Sequence, residues 1–222
     1  MEEPRTLQPL TASQMEELEA AVSSYEAALT VDAARYLVGR GLGQQEVATS
    51  RLGVVADPFP GHQHYRGMLA IPYLDREGKP LALRFRCLEQ HEHRSYFHGK
   101  YNSMKDEPTR MYGIPALFGA NEEIHVCEGE LDSLILNKVG LPAVAIAGAN
   151  NFQWRHQKML AGFSRIYIWG DPDDAGLEFN AKLTKRMKRA KSVRLTQGDV
   201  TDTYTAGGIE AIYALIDREP PR

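Results

Sequence analysis

From about residue 119 the sequence alternates strand-like and helix-like segments, and a chain with that pattern has few ways to fold. Glu123–Cys127 reads as a strand, Glu130–Val139 as a helix, Ala143–Ile146 as a strand and Gln153–Leu160 as a helix. Arg165–Trp169 is again a strand, Gly176–Arg189 a long basic helix, Ser192–Leu195 a short strand and Ile209–Arg218 a final helix. Strands linked through helices run parallel, and a parallel sheet needs cover on both faces. The expected class is α/β. The first half has another character. Helical patterns over 12–30, Thr30–Val38 and Gln44–Ser50 precede the break Asp57-Pro58-Phe59-Pro60-Gly61. Met68–Leu74 and Leu81–Leu88 then read as strands around a hairpin turn at Asp75–Lys79. Arg94–Phe97 reads as a further strand, and 98–112 as loop with a helical turn. The spacing therefore predicts an α+β subdomain over 1–118, followed by a mostly parallel, helix-covered domain over 119–222.

In parallel sheets, functional residues gather at the carboxyl ends of the strands. Two strands here end on acids: Val126-Cys127 runs into Glu128-Gly129-Glu130-Leu131-Asp132, and Ile168-Trp169 into Gly170-Asp171-Pro172-Asp173-Asp174-Ala175-Gly176. Gly198-Asp199-Val200-Thr201-Asp202 follows the next strand. Carboxylates crowded at one edge repel, and a bound cation resolves the repulsion. Magnesium or manganese suits such oxygen ligands, keeps water positions for substrate phosphates, and acts in pairs on phosphate chemistry. Glu128, Asp171, Asp173 and Asp199 are the expected metal ligands, two or more ions being expected. Asp132, Asp174 and Asp202 serve as supporting residues or as helix caps, the ordinary role of a single acid at a helix start. Gly129 and Gly176 allow close backbone approach at the turns.

The net charge of −3 argues on average against a nucleic-acid partner, but the charge is uneven. Residues 1–32 carry Arg5 as their only base, whereas 66–110 carries Arg66, Arg76, Lys79, Arg84, Arg86, Arg94, Lys100, Lys105 and Arg110. Local patches of this kind steer polyanions. Alternation along Leu81–Leu88 puts Arg84 and Arg86 on one strand face. Phe97 and Tyr101 lie nearby as candidates for stacking on bases, though aromatics near strands are more often core. Cys87 and Cys127 are the only cysteines; they cannot supply the three or four thiolates of a structural zinc site, so no zinc is expected. No apolar run approaches the ~20 residues of a membrane span, and no secretory signal follows Met1–Arg5. A cytoplasmic protein with no membrane partner is expected.

The acids resemble the Toprim domain, the metal-binding module of primases, topoisomerases and some nucleases, in which one strand ends in Glu-Gly and a later one in Asp-x-Asp. Glu128-Gly129 and Asp171-Pro172-Asp173 match both, and Ala175-Gly176 matches the DnaG-type and phage primase form. Asp199 fits the third acidic position, while Thr201 stands where primases often carry Asp or Asn. Upstream, Ala34-Arg35-Tyr36-Leu37, Tyr65-Arg66-Gly67-Met68, Lys100-Tyr101-Asn102-Ser103 and Tyr112-Gly113 resemble the primase catalytic core, so that the likeness runs over about residues 25–215. It implies a Toprim domain behind a basic α+β subdomain. It also implies that Arg66, Arg84, Arg86, Lys100, Tyr101 and Lys105 bind nucleotide or template. Glu128, Lys100 and Arg66 would be the catalytic residues, with Glu128 a metal ligand or a general base. For a second family lysine, Lys105 or Arg110 stands nearest.

The implied activity is that of a DNA primase: joining ribonucleoside triphosphates on single-stranded DNA. Two alternatives stay open, a Toprim-type nuclease and a non-catalytic nucleic-acid adaptor. The zinc-binding module of such primases and a GxxxxGK[ST] helicase loop are both missing from the sequence. A stand-alone core, a compact phage-type protein or a fragment is therefore expected, with a replicative helicase or a separate template-recognition protein as partner. A phage-encoded chain would work in the host cytoplasm.

Overall fold

Thr11 opens the first helix in the computed structural model, which describes residues 7–96, 98–196 and 198–221. Its hydroxyl accepts the Gln14 N–H and the Gln14 side chain accepts the Thr11 N–H, satisfying two donors that a helix start leaves unpaired. Helix α1 (Ala12–Ala27) buries Ala21, Val22 and Tyr25. Thr30 caps α2 (Val31–Gly39), and α3 (Gln44–Thr49) follows. The chain divides into two units, Met1–Pro108 and Thr109–Arg222.

In the first unit β1 (Gly53–Val54), β2 (Leu69–Leu74), β3 (Pro80–Arg86) and β4 (Tyr101–Ser103) form an antiparallel sheet in that order. Asp75 builds the hairpin turn, its carboxylate accepting the N–H groups of Glu77 and Lys79 at 2.9 and 2.8 Å. Tyr25 packs with Val55, Ala70, Leu83 and Phe85 in the core, and the Tyr65 ring stacks on Phe85 at 4.0 Å. Two segments depart from expectation. In place of a strand over Arg94–Phe97, His93–Tyr96 forms a 3-10 turn in which Ser95 donates to the Glu92 carbonyl; Phe97 lies outside the described residues. Within 98–112, Tyr101–Ser103 pairs with β3 as a strand.

The second unit holds a parallel sheet in the order β6-β5-β7-β8, formed by β5 (Glu123–Cys127), β6 (Ala143–Ala145), β7 (Arg165–Trp169) and β8 (Ala190–Ser192). The fold class is thus α/β, with an antiparallel sheet in the N-terminal unit and a parallel sheet with helices in the second. The helices are α4 (Ile114–Gly119), α5 (Glu130–Lys138), α6 (Trp154–Leu160), α7 (Asp174–Arg186) and α8 (Val200–Ala214). Ile124 to Cys127 are buried without interruption, as a strand covered on both faces must be. One face places Ile124, Val126, Ile166 and Ile168 against Phe152, Leu160, Phe179 and Leu183. On the other, His125 stacks on Tyr167 at 5.0 Å and accepts the Trp169 indole N–H at 2.9 Å.

Residues 109–118, expected with the first part, belong to the second unit. Tyr112 exchanges backbone hydrogen bonds with Ala145 at the edge of β6. Helix α8 begins at Val200 rather than Ile209 because Asp199 caps it, and Gly208, at φ 68°, kinks it where the expected helix starts. Among the described residues no helix is long and apolar enough to cross a membrane.

Candidate functional site

Strands β5 and β7 pair directly, with Cys127 opposite Trp169, so the segments that follow them leave the sheet side by side. Glu128 follows β5, and Gly170-Asp171 follows β7. Asp173 caps α7, accepting the Gly176 N–H at 2.8 Å. Asp199 caps α8, accepting the Asp202 N–H at 2.7 Å, while Asp202 accepts the Asp199 N–H at 3.2 Å. A β-carbon on Gly176 would sit 2.1 Å from the Asp171 carbonyl oxygen, so only glycine lets 171–176 fold back this tightly.

Glu128 has a buried Oε2 with no hydrogen-bond partner. Burial, and then the Asp171, Asp173 and Glu178 carboxylates, push its pKa up to about 7. Asp132, on the first turn of α5, is buried. Its pKa is pushed up to about 7 by burial first and by Asp199 next, against two donors from Thr201, with Asp171 adding. Burial also raises the Cys127 thiol, and the carboxylates of Asp132, Asp171 and Asp199 add to it. Asp171 is common to these three fields. The acids therefore collect at one sheet edge, and they repel one another there.

In the first unit, β4 sets Tyr101 against the arginines of β3. The Arg84 and Arg86 guanidinium carbons lie 4.9 and 4.7 Å from its ring centroid. Arg86 also hydrogen-bonds the Tyr101 hydroxyl, lies 5.3 Å from the Tyr36 ring and is only 6% exposed. Arg66 is exposed and donates to the Ala56 carbonyl at 2.7 Å, and Lys100 and Lys105 are exposed.

A Toprim-like family model matches residues 125–203, the span from β5 through the first turn of α8. Residues 125–203 form a Toprim-like domain. The chain is 29% identical over 157 residues to the Gene 57 protein of Mycobacterium phage D29, which covers 68% of this chain and 99% of that protein. It is 24% identical over 196 residues to a DNA primase of Myxococcus xanthus, covering 81% of this chain and 32% of that protein. The chain thus spans about a third of the length of this curated relative. Among solved structures, the RNA polymerase domain of Mycobacterium tuberculosis primase DnaG superposes with a TM-score of 0.76 at 18% identity, over 95% of this chain and 85% of that one. A DnaG primase catalytic domain bound to ssDNA gives 0.71 at 18% identity, over 93% and 78%. The chain has the fold of a DnaG primase catalytic core.

The edge of the Toprim-like domain brings Glu128, Asp171 and Asp173 together, and Asp199 joins through Asp132. Thr201 is the residue whose role spacing alone misses: it looks like a gap in the acidic pattern and is the hydrogen-bond partner of Asp132. Arg66, Lys100 and Lys105 are open to solvent, whereas Arg86 is enclosed by aromatic rings and Tyr101 is covered by arginines. The expectation of no zinc rests on the cysteine count and overlooks histidine, as a cluster around Cys87 shows.

Proposed function

We propose that this chain is a DNA primase catalytic core, which joins ribonucleoside triphosphates into short RNA on single-stranded DNA. The Glu128 carboxylate carries the assignment: a buried oxygen without a donor, beside Asp171 and Asp173, fits a divalent cation. Glu128, Asp171 and Asp173 hold magnesium or manganese, with Asp199 as a further ligand. Ions held there would supply charge neutralisation for the triphosphate, whose α-phosphate a 3′-hydroxyl attacks with release of pyrophosphate. Lys100 and Arg66 bind nucleotide phosphates, and Arg84, Tyr101 and Lys105 contact template. Arg86, being buried, acts by holding Tyr101 in place. The fold shared with a DnaG domain bound to ssDNA supports the choice of template. A replicative helicase or a template-recognition protein is the partner this assignment calls for.

Incubation with single-stranded DNA, four labelled ribonucleotides and magnesium or manganese tests the assignment. Short RNA is the expected product, and Asp171→Ala abolishes it while leaving the fold intact. Cleavage of the template instead identifies a nuclease, and neither activity, with or without a helicase, identifies an adaptor.

A further inference from the structure

We propose that Cys87, His91, His93 and His98 form a structural zinc site that staples the loop between β3 and β4. The four residues fall within the twelve positions 87–98, and one donor atom from each lies within 4.8 Å of every other. Cys87 Sγ is 3.7 Å from His91 Nε2. Around tetrahedral zinc, with Zn–N and Zn–S bonds of about 2.0 and 2.3 Å, donor atoms stand about 3.3–3.7 Å apart. The Cys87–His91 pair already has that spacing, and the widest gap has to close by no more than about 1.5 Å.

The imidazoles are arranged as ligands. His91 Nδ1 lies 3.2 Å from Glu89 Oε2, and His98 Nδ1 lies 3.0 Å from the Gly99 carbonyl oxygen. Each acceptor keeps a proton on Nδ1 and leaves the Nε2 lone pair for a cation, with the outer partners that zinc-bound histidines use. The buried Nδ1 of His93 has no hydrogen-bond partner, an expensive state for a polar atom that ligation of this ring would help to explain. The three rings turn toward one another, with centroids 4.7, 5.1 and 5.4 Å apart.

One thiolate and three imidazoles select zinc over magnesium, which takes oxygen ligands. Four protein donors leave no open position, so the site holds structure rather than performing hydrolysis. Cys87 also donates its backbone N–H to the Lys100 carbonyl at 2.9 Å, so backbone and metal together close the loop beside Arg86 and Lys100. The site is separate from the carboxylate centre: its ligands all belong to the first unit and include no acid.

The full chain, produced without a polyhistidine tag and equilibrated with stoichiometric zinc, is gel-filtered and its metal content measured by elemental mass spectrometry. About one zinc per chain is expected. Asp171→Asn should retain it and Cys87→Ser should lose it. Cobalt in place of zinc should give a thiolate charge-transfer band and tetrahedral visible bands in the wild type and in Cys127→Ala. Zinc-free wild-type protein, or a Cys87→Ser chain that keeps zinc, overturns the proposal. If Cys87→Ser does not fold, the wild-type cobalt spectrum decides alone: without a thiolate band the proposal fails.

Discussion

Thr201 donates both its backbone N–H and its hydroxyl to one oxygen of Asp132, at 3.0 and 2.7 Å, across 69 positions of sequence. The contact ties the first turn of α8 to the first turn of α5. Asp132 is buried and feels Asp199 and Asp171, so these donors are what make its charge tolerable. Thr201→Val removes the hydroxyl, and the expected cost at pH 8 is about 1.5–3 kcal/mol, the range for a hydrogen bond to a charged group. At pH 5 Asp132 is protonated and the loss shrinks. Thermal unfolding of both proteins at the two pH values checks this; equal losses would place the effect elsewhere.

Glu128 and Asp132 both have raised pKa values, from 4.5 and 3.8 to about 7. Each binds more proton when folded than when unfolded between pH ~4 and ~7, so without divalent ions stability falls as pH rises through that window. Magnesium binds the carboxylate form, so its stabilising effect grows with pH. Glu128→Gln should raise the melting temperature of the metal-free protein at pH 8 and weaken its response to magnesium. A melting-temperature series over pH and magnesium reads both effects.

Gly176 is expected to tolerate no side chain. The clash with the Asp171 carbonyl is with backbone, so Gly176→Ala has to displace the loop carrying Asp171 and Asp173. A loss of about 1–3 kcal/mol is expected, as for other overpacked positions, together with weaker magnesium binding. Denaturant unfolding and magnesium titration calorimetry test the two parts.

Far from the acids, Glu123 accepts from Arg218 at 2.7 and 2.6 Å and from His125 at 3.0 Å. His125 first, and Arg218 with it, hold the Glu123 carboxyl well below the usual carboxylate range. A lowered carboxyl stabilises the fold above its unfolded pKa of about 4.5, and that contribution is lost as pH falls through the folded value. Arg218→Ala should cost about 1 kcal/mol at pH 7, because the arginine is 34% exposed and solvent screens the pair. The cost should fade below pH 4, which acid unfolding curves will show.

Arg86 and Lys100 should separate structure from binding. Arg86→Lys loses the planar contact with Tyr36 and Tyr101 and should destabilise the protein by about 1–2 kcal/mol. Lys100→Ala should leave stability unchanged and, if it contacts a phosphate, reduce the salt slope of single-strand binding by about 0.7. Unfolding curves and binding titrations at several salt concentrations distinguish the two.

The parallel sheet and the order of its acids can be read from the residues alone. Strand runs such as Glu123–Cys127 and Arg165–Trp169 match the observed strands because a strand buried on both faces has to be apolar nearly throughout. Glu128 and Asp171 were legible because topology alone sends the ends of parallel strands to one edge. Contacts between distant positions come only with the folded chain. The Asp132–Thr201 pair has no spacing signature, since two helix starts meet only after the sheet forms. Arg86 reads as a surface cation until Tyr36 and Tyr101 enclose it. The donors of the Cys87 histidine cluster flank Arg94–Phe97, which reads as a strand, and the turn observed at His93–Tyr96 lies between them instead.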